Sequence, residues 1–242
     1  MDYPPCRDCG LRKLDAFKPA NADEIAFIQG LKIAHLRVGA QQTLIHEGRP
    51  AGLYTLYSGW AFRYKSLSDG RRQILNFLLP GDLIGLQDEI AQLSPHSVDT
   101  LTDVELCEFS RDRLWDLYRQ QPRLGYEITW LASQEEMLVD ESLLSVGRRS
   151  AAERIGMLLL RLYKRAAALG MVRQGRVPFP INQQHIADAV GLSLVHTNKT
   201  MRRLVKLGLF EIVDGWLALP QPKVLARLAD FYDQPVPPRP LI

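Results

Sequence analysis

Residues 182–207 read NQQHIADAVGLSLVHTNKTMRRLVKL. Residues 182–190 have the apolar spacing of a short amphipathic helix. Its predicted inner face consists of Ile186, Ala187 and Val190. Gly191 permits a tight turn, and Ser193 is a residue type that caps the N-terminus of a following helix. This spacing predicts a helix-turn-helix, the motif that places its second helix in the major groove of DNA.

The second helix of the motif is predicted to run from about Leu194 to Leu207. Its predicted inner face consists of Met201, Leu204 and Val205. The candidate DNA-binding residues on its other side are Val195, His196, Asn198, Lys199, Arg202 and Arg203, with Lys206 beside them. Cations suit phosphates and guanine, and asparagine can bind adenine through two hydrogen bonds. We therefore expect this side of the helix to contact a DNA duplex.

A hairpin signal follows the helix-turn-helix. Residues 209–219 read LFEIVDGWLAL, in which Asp214-Gly215 separates two apolar runs. Such a dipeptide predicts a β-hairpin with a two-residue turn. A helix-turn-helix with a hairpin is the winged-helix arrangement. The alternative interpretation is a helical hairpin with a purely structural role.

The charge of the chain is divided between its two halves. Residues 1–147 hold 15 Lys and Arg against 21 Asp and Glu, a balance of −6. Residues 148–242 hold 15 against 6, a balance of +9. A basic unit beside an acidic one favours a polyanionic partner for the second half, and the alternative is an uneven surface without a partner.

The N-terminal half has the pattern of a small β-roll. Gly48, Gly59, Gly70 and Gly81 recur every 11 residues and mark turns. The predicted strands are 53–57, 60–67, 73–79, 97–102 and 104–109. Short strands with regular turn glycines indicate a barrel or jelly roll.

A long helix is predicted over residues 112–147. Its heptad-like apolar stripe consists of Leu124, Ile128, Leu131, Leu138 and Val146, widened by Trp130, Met137 and Val139. Such a helix buries poorly against one roll, so we expect it to pair with its copy in a symmetric dimer. Packing within one chain is the alternative. Ser150 with Glu153 predicts a capping box that begins a new helix.

Composition excludes several classes of protein. The chain has 242 residues, 46% hydrophobic and 24% charged, which is the balance of a folded globular protein. We see no membrane span, no secretory signal and only three cysteines, so we expect a cytoplasmic protein without a membrane partner. The five histidines form no recognisable metal or catalytic motif, so we expect no enzyme.

The whole chain resembles the Crp/Fnr family of bacterial transcription regulators. The resemblance is carried by LLPGDLIG at 78–85 and by 186–207. It implies an α+β fold: an N-terminal jelly roll like a cyclic-nucleotide-binding domain, a long dimerisation helix and a C-terminal winged helix-turn-helix. It also implies a homodimer that binds a palindromic operator and contacts RNA polymerase. The expected divisions are a Cys-bearing segment 1–14, a sensor roll 15–111, a dimerisation helix 112–147, a DNA-binding domain 148–228 and a tail 229–242.

The resemblance leaves the signal open. Family members that bind cyclic AMP hold its phosphate with an arginine after the glycine turn, but residues 82–110 contain no Lys or Arg. The acids in that range are Asp82, Asp88, Glu89, Asp99, Asp103, Glu105 and Glu108. A buried phosphate there would lack a counter-charge, so we expect no cyclic nucleotide.

The Fnr branch of the family suggests a second signal. Cys6 and Cys9 form a Cys-x-x-Cys pair, and Cys107 falls on the strand where that branch has a distant cysteine. Asp15 stands where its third cysteine would be, so the implied 4Fe–4S ligand set is three thiolates and one carboxylate. Free thiols, a reversible thiol couple and a zinc site are the alternatives.

The sequence therefore predicts a homodimeric DNA-binding transcription regulator that responds to oxygen or redox state through its cysteines. Two other functions compete with it. The roll could be only a scaffold for dimerisation and polymerase contact in a constitutive DNA-binding module, or it could be a metalloenzyme.

Overall fold

The computed structural model describes residues 4–87, 93–232 and 237–242. The chain divides into two compact units. The roll unit comprises Met1–Lys65, Phe77–Met137 and Pro237–Ile242. The helix-turn-helix unit comprises Ser66–Asn76 and Leu138–Val236.

Two four-stranded antiparallel sheets form the roll. The strands are β1 Lys32–Val38, β2 Thr43–Ile45, β3 Leu53–Ser58, β4 Ala61–Ser66, β5 Arg72–Leu78, β6 Leu83–Ile84, β7 Ser97–Thr100 and β8 Val104–Phe109. Their order is β1-β8-β3-β6 in one sheet and β2-β7-β4-β5 in the other. The interior is apolar, and Leu56, Val98 and Leu106 are fully buried there. The five predicted strands are thus present, while sequence reasoning missed β1, β2 and β6.

Among the described residues of this part of the chain are three α-helices: α1 Ala22–Leu31, α2 Leu114–Gln120 and α3 Pro122–Arg148. Asn21 begins α1 through a capping box with Glu24. The helix predicted over 112–147 is divided, because α2 ends at Gln120 and Pro122 begins α3. Proline has no N–H to donate into a preceding turn, so it starts a helix more readily than it continues one.

The apolar residues of α3 fall into two groups. Leu124 and Ile128, near its start, are buried in the core of the roll unit. The exposed group begins at Met137 and ends at Val146, and its other members are Val139, Leu143 and Leu144. Leu143 has 71% of its surface exposed. The second half of the helix therefore presents apolar side chains to solvent on two sides, with Val139, Leu143 and Val146 on one and Met137 and Leu144 on the other.

In the helix-turn-helix unit, the residues that the structure describes form four further helices and a small sheet. Its elements are α4 Ala151–Ala168, β9 Arg176–Pro178, α5 Gln183–Val190, α6 Leu194–Lys206, β10 Glu211–Val213, β11 Trp216–Ala218 and α7 Pro222–Leu228. Ser150 and Glu153 form the predicted capping box at the start of α4. Roll, long helix and winged helix-turn-helix are all present, so the predicted fold class is confirmed.

Candidate nucleic-acid interface and thiol cluster

The first helix of the motif, α5, begins and ends as its sequence predicts. The Asn182 side chain accepts a hydrogen bond from the backbone N–H of His185 at 2.9 Å. The buried residues of α5 are Ile186, Ala187 and Val190, which confirms the predicted inner face. Gly191 ends the helix in the left-handed conformation, with φ of 66°. A residue with a Cβ would be strained there.

Backbone contacts fix the turn between the two helices. The N–H of Leu192 donates to the carbonyl oxygen of Ala187 at 3.1 Å. Arg154 of α4 donates from Nη1 to the carbonyl oxygen of Val190, also at 3.1 Å. A cation at a helix C-terminus satisfies carbonyl groups that have no partner within the helix. The orientation of α5 is therefore set by α4 as well as by its own sequence.

The second helix, α6, begins at the predicted cap. The Ser193 side chain accepts from the N–H of His196 at 3.3 Å. The buried residues of α6 are Thr197, Thr200, Met201 and Leu204. The prediction that Val205 faces inward is wrong, since 45% of its surface is exposed. At 3.6 residues per turn it lies about 90° around the helix from the buried face centred on Thr197 and Leu204.

The outer face of α6 is open and cationic. Its exposed residues are Val195, His196, Lys199, Arg202, Arg203 and Lys206, and Asn198 lies half-buried at its border. Val195 is 80% exposed, so its side chain does not pack into the core of the unit. Within the described ranges none of the four cations forms an ion pair. The structure thus brings all six candidate DNA-binding residues onto one helix, and their contact with DNA stays a prediction.

The hairpin that follows is the predicted one. Val213 of β10 pairs directly with Trp216 of β11, which leaves Asp214 and Gly215 as a two-residue turn. Both turn residues have positive φ, 51° and 75°, as a type I′ turn requires. Strand β9 pairs with β11 and completes a three-stranded wing.

The cysteines lie in the roll unit. Cys6 is buried in a short 3₁₀ turn, and its N–H donates to Oε1 of Gln29 at 2.6 Å. Cys107 lies on β8, directly opposite His35 of β1 and Thr55 of β3. All three cysteines are free thiols in the described chain. We call Cys6, Cys9 and Cys107 the thiol cluster.

A polar chain runs beside Cys107. Its Sγ lies 3.7 Å from Nδ1 of His35, and the same nitrogen lies 3.4 Å from Nζ of Lys32. Nε2 of His35 lies 3.2 Å from Oε2 of Glu105. Sequence reasoning missed Lys32 and His35. Their alignment with Cys107 depends on strand register, which a single sequence does not reveal.

Burial favours the protonated form of two thiols, Cys6 and Cys107. Burial raises the pKa of Cys107. The positive charge of Lys32 and the hydrogen bond from Lys32 only partly offset this increase. Burial likewise raises the pKa of Cys6, and negative charge on Cys107 or Cys9 would raise it further. Because the thiolate is the reactive form, these cysteines react slowly while they remain enclosed.

A four-ligand cluster site does not fit this arrangement. Asp15, the predicted fourth ligand, has an exposed side chain. In the part of the chain that the structure describes, no three His, Cys, Asp or Glu residues are placed to hold one metal ion. The Lys32 ammonium also lies within the polar chain beside Cys107, where its positive charge would oppose a bound metal ion. The structure therefore does not support Cys6, Cys9, Cys107 and Asp15 as one ligand set.

Two protein families match this chain. Residues 35–121 match the cyclic nucleotide-binding domain, and residues 153–228 match the Crp-like helix-turn-helix domain. Among the described residues no helix has the length and apolarity that a bilayer crossing requires.

Proteins of known function match nearly the whole chain. It is 30% identical over 225 residues to the nitrogen fixation regulation protein FixK of Bradyrhizobium diazoefficiens, covering 93% of each chain. It is 31% identical over 225 residues to the transcriptional activatory protein AadR of Rhodopseudomonas palustris, covering 93% of this chain and 91% of that one. The solved structure of FixK2 from Bradyrhizobium japonicum is similar in fold, with a TM-score of 0.73 at 24% identity over 81% of this chain and 96% of that chain.

Proposed function

Because this chain belongs to the Crp/Fnr family of transcription regulators, we propose that it binds a palindromic operator as a homodimer. Each subunit inserts α6 into the major groove of one half-site, and the wing lies beside it. The observation that carries this proposal is the outer face of α6, where the cations Lys199, Arg202, Arg203 and Lys206 are exposed without acidic partners in the described chain.

We expect residues near the start of α6 to contact bases and residues one turn further on to contact phosphates or a guanine. In helix-turn-helix proteins the N-terminal residues of the second helix contact base edges. Val195, His196 and Lys199 occupy this part of α6, and Asn198 lies at its border. Arg202 and Arg203 lie a turn further on, where a guanidinium reaches phosphates or a guanine. Val195 offers a methyl contact to thymine.

The exposed half of α3 supports the dimer. Met137, Leu143 and Leu144 have 61%, 71% and 48% of their surface exposed. A second copy of the same helix, in a symmetric pair, would cover the side that carries Leu143, together with Val139 and Val146. The two copies of α6 then engage half-sites separated by about one turn of DNA.

The DNA-binding proposal is tested by operator selection and titration. A random duplex library should yield a palindrome, and fluorescence anisotropy on that duplex should show specific binding. Lys199→Ala should weaken binding by about 1–3 kcal/mol if it contacts a base, or lower the salt slope by about 1 if it contacts a phosphate. Lys223→Ala, on α7 outside the interface, is the matched control. Binding that is equally strong to every sequence, or unaffected by Lys199→Ala, contradicts the proposal.

We further propose that the regulator contacts RNA polymerase when bound at a promoter and acts in the cytoplasm, where both partners are found. The relatives named as a regulator and an activator support this part of the proposal. We also propose that the protein has no enzymatic activity. In vitro transcription from the selected operator, with and without the protein, tests the polymerase contact.

The roll is proposed to take no cyclic nucleotide, although its sequence matches that domain family. Residues 82–110 offer a phosphate no Lys or Arg. The carboxylate of Asp82 is buried at the glycine turn and pairs with the guanidinium of Arg239, so that cation is already neutralised there. Asp88 and Glu89 lie outside the described residues. Cyclic AMP at saturating concentration should leave the operator affinity unchanged.

We propose that the thiol cluster makes the regulator responsive to oxidants. Hydrogen peroxide oxidises one thiol to a sulfenic acid and is reduced to water, and a second thiol then condenses with the sulfenic acid to form a disulfide, which releases a second water. Cys107→Ser should abolish any change of operator affinity on treatment with hydrogen peroxide, with affinity in reductant unchanged. A normal response of this variant would eliminate the thiol mechanism. A wild type that ignores peroxide would favour the constitutive module.

A further inference from the structure

The last residues of the chain are bound to the roll unit. We call residues 237–242 the docking segment. Its backbone pairs with the N-terminal segment, since the N–H of Arg239 donates to Ala16 at 2.9 Å and the N–H of Lys18 donates to Arg239 at 2.8 Å. Leu241 and Ile242 are each only 5% exposed. Buried side chains and paired backbone distinguish this segment from a loose tail.

A specific site receives the guanidinium of Arg239. It forms an ion pair with the buried carboxylate of Asp82 and donates from Nη2 to the carbonyl oxygen of Pro80 at 2.7 Å. It also lies over the ring of Phe17, 5.1 Å from the ring centre. Gly81 leaves space for this arrangement, because a Cβ there would lie 2.3 Å from the Phe17 ring. Carboxylate, carbonyl and aromatic ring together are a recognition site for arginine.

The apolar end of the segment closes the thiol cluster. Ile242 belongs to the same buried group of side chains as Cys6. The hydroxyl of Thr55 donates to a backbone oxygen of Ile242 at 2.7 Å, and Thr55 is the cross-strand neighbour of Cys107. Side chains of such neighbours lie on the same face of a sheet. The end of the docking segment therefore lies beside both thiols.

We propose that the roll unit contains a binding site for an extended Arg-Pro-Leu-Ile peptide, that residues 239–242 fill it, and that this occupancy shields Cys6 and Cys107 from reagents in solvent. The inference rests on the proposed thiol response and adds the step that controls access. An oxidant reaches the thiols after the segment leaves, and an oxidised thiol leaves less room for Ile242 to return. The docking segment follows directly in the chain on the helix-turn-helix unit, which ends at Val236.

Alkylation of the native, full-length protein tests the shielding. Iodoacetamide is added under reducing conditions and mass spectrometry gives a rate for each cysteine. Arg239→Ala should speed the labelling of Cys6 and Cys107 about tenfold, the effect of losing one charge-assisted hydrogen bond on the opening equilibrium. Arg227→Ala, an exposed arginine of α7, should label like the wild type. Cys9, which lies outside the described group of apolar side chains that contains Ile242, should change far less.

A second measurement removes the dependence on one substitution. The chain without residues 237–242 should label as fast as Arg239→Ala or faster. The peptide Pro-Pro-Arg-Pro-Leu-Ile, added to it, should restore protection, and the same peptide with alanine for arginine should not. Unchanged labelling in both variants overturns the inference. So does equal acceleration of all three cysteines together with a lower melting temperature, because that indicates general unfolding.

The outcome is separable from that of the proposed function. Operator binding in reductant is measured on the same protein samples. Failure of the wild type to bind any operator refutes the DNA-binding proposal and leaves the labelling result intact. Labelling that ignores the docking segment refutes the shielding, whatever the operator affinity.

Discussion

Glu135 of α3 pairs with a buried arginine of the roll. Nη2 of Arg63 donates to Oε2 of Glu135 at 2.5 Å, and the two side chains are 9% and 26% exposed. Nε of Arg63 is buried without a partner among the described residues. Neighbouring His96 is a neutral imidazole near pH 7, because burial together with the charges of Arg63 and Lys65 lowers its pKa to about 4, so it supplies no counter-charge. Glu135→Leu would therefore leave a guanidinium charge buried without its counter-charge.

The expected loss of stability in Glu135→Leu depends on how exposed the Arg63–Glu135 ion pair is. Breaking a fully buried ion pair costs about 3–5 kcal/mol, because the remaining charge is desolvated and unpaired. Glu135 is about one-quarter exposed, so water can partly solvate the site. We expect a loss of about 2–3 kcal/mol in the free energy of unfolding. Replacing both residues, as Arg63→Met with Glu135→Leu, should restore most of it, because an apolar pair of similar volume often equals a buried ion pair.

Urea unfolding followed by circular dichroism measures both variants, with Glu136→Leu, one residue along α3 on an exposed position, as the control. The single variant should unfold at lower urea and the control close to the wild type. A loss below about 0.5 kcal/mol for Glu135→Leu, typical of a surface ion pair, would refute the burial argument. A double variant less stable than the single one would refute the unpaired charge as the cause.

Two further predictions concern pH and assembly. His96 is 4% exposed and its pKa is lowered from 6.5 to about 4, so its contribution to stability is complete above pH 6.5 and is lost as the pH falls towards 4. His96→Gln should remove up to about 3 kcal/mol of this pH dependence in urea titrations at pH 7 and pH 4, and an unchanged slope would contradict it. Leu143→Glu places a charge on the exposed apolar half of α3 and should convert the dimer to monomer in analytical ultracentrifugation, whereas Asp140→Asn should not. A monomeric wild type would contradict the assigned use of this surface.

The DNA-reading part of the fold was predictable because its signals are local. The cap at Ser193, the left-handed Gly191 and the Asp214-Gly215 turn each depend on the conformation of a few consecutive residues. The inner face of α5 follows from helical period alone. The error at Val205 arose at the edge of a face, where one step of 100° decides between burial and exposure.

The thiol cluster was less predictable because its geometry depends on distant segments. The resemblance to the Fnr branch implied that Cys6 and Cys107 are neighbours, yet their surroundings come from β1, β3 and the docking segment. Lys32, His35 and Thr55 reach Cys107 only through strand register, which is set by pairing across the sheet. Asp15 stands at the position in the sequence where a fourth ligand is expected, but its side chain is exposed, and no group of three ligand residues in the described chain is placed to hold a metal ion.

The two groups of apolar residues on α3 give the helix a double role. In its first half, Leu124 and Ile128 are buried in the core of the roll unit, so replacing either with a smaller residue would reduce the buried apolar area and the stability. In its second half, the side chains of Leu143 and Leu144 are exposed in the single chain. Because the helix is continuous from Pro122 to Arg148, a displacement of its first half moves its second half as well. In the proposed dimer, we expect a signal in the roll to act on the two copies of α6 through the pairing of the two α3 helices.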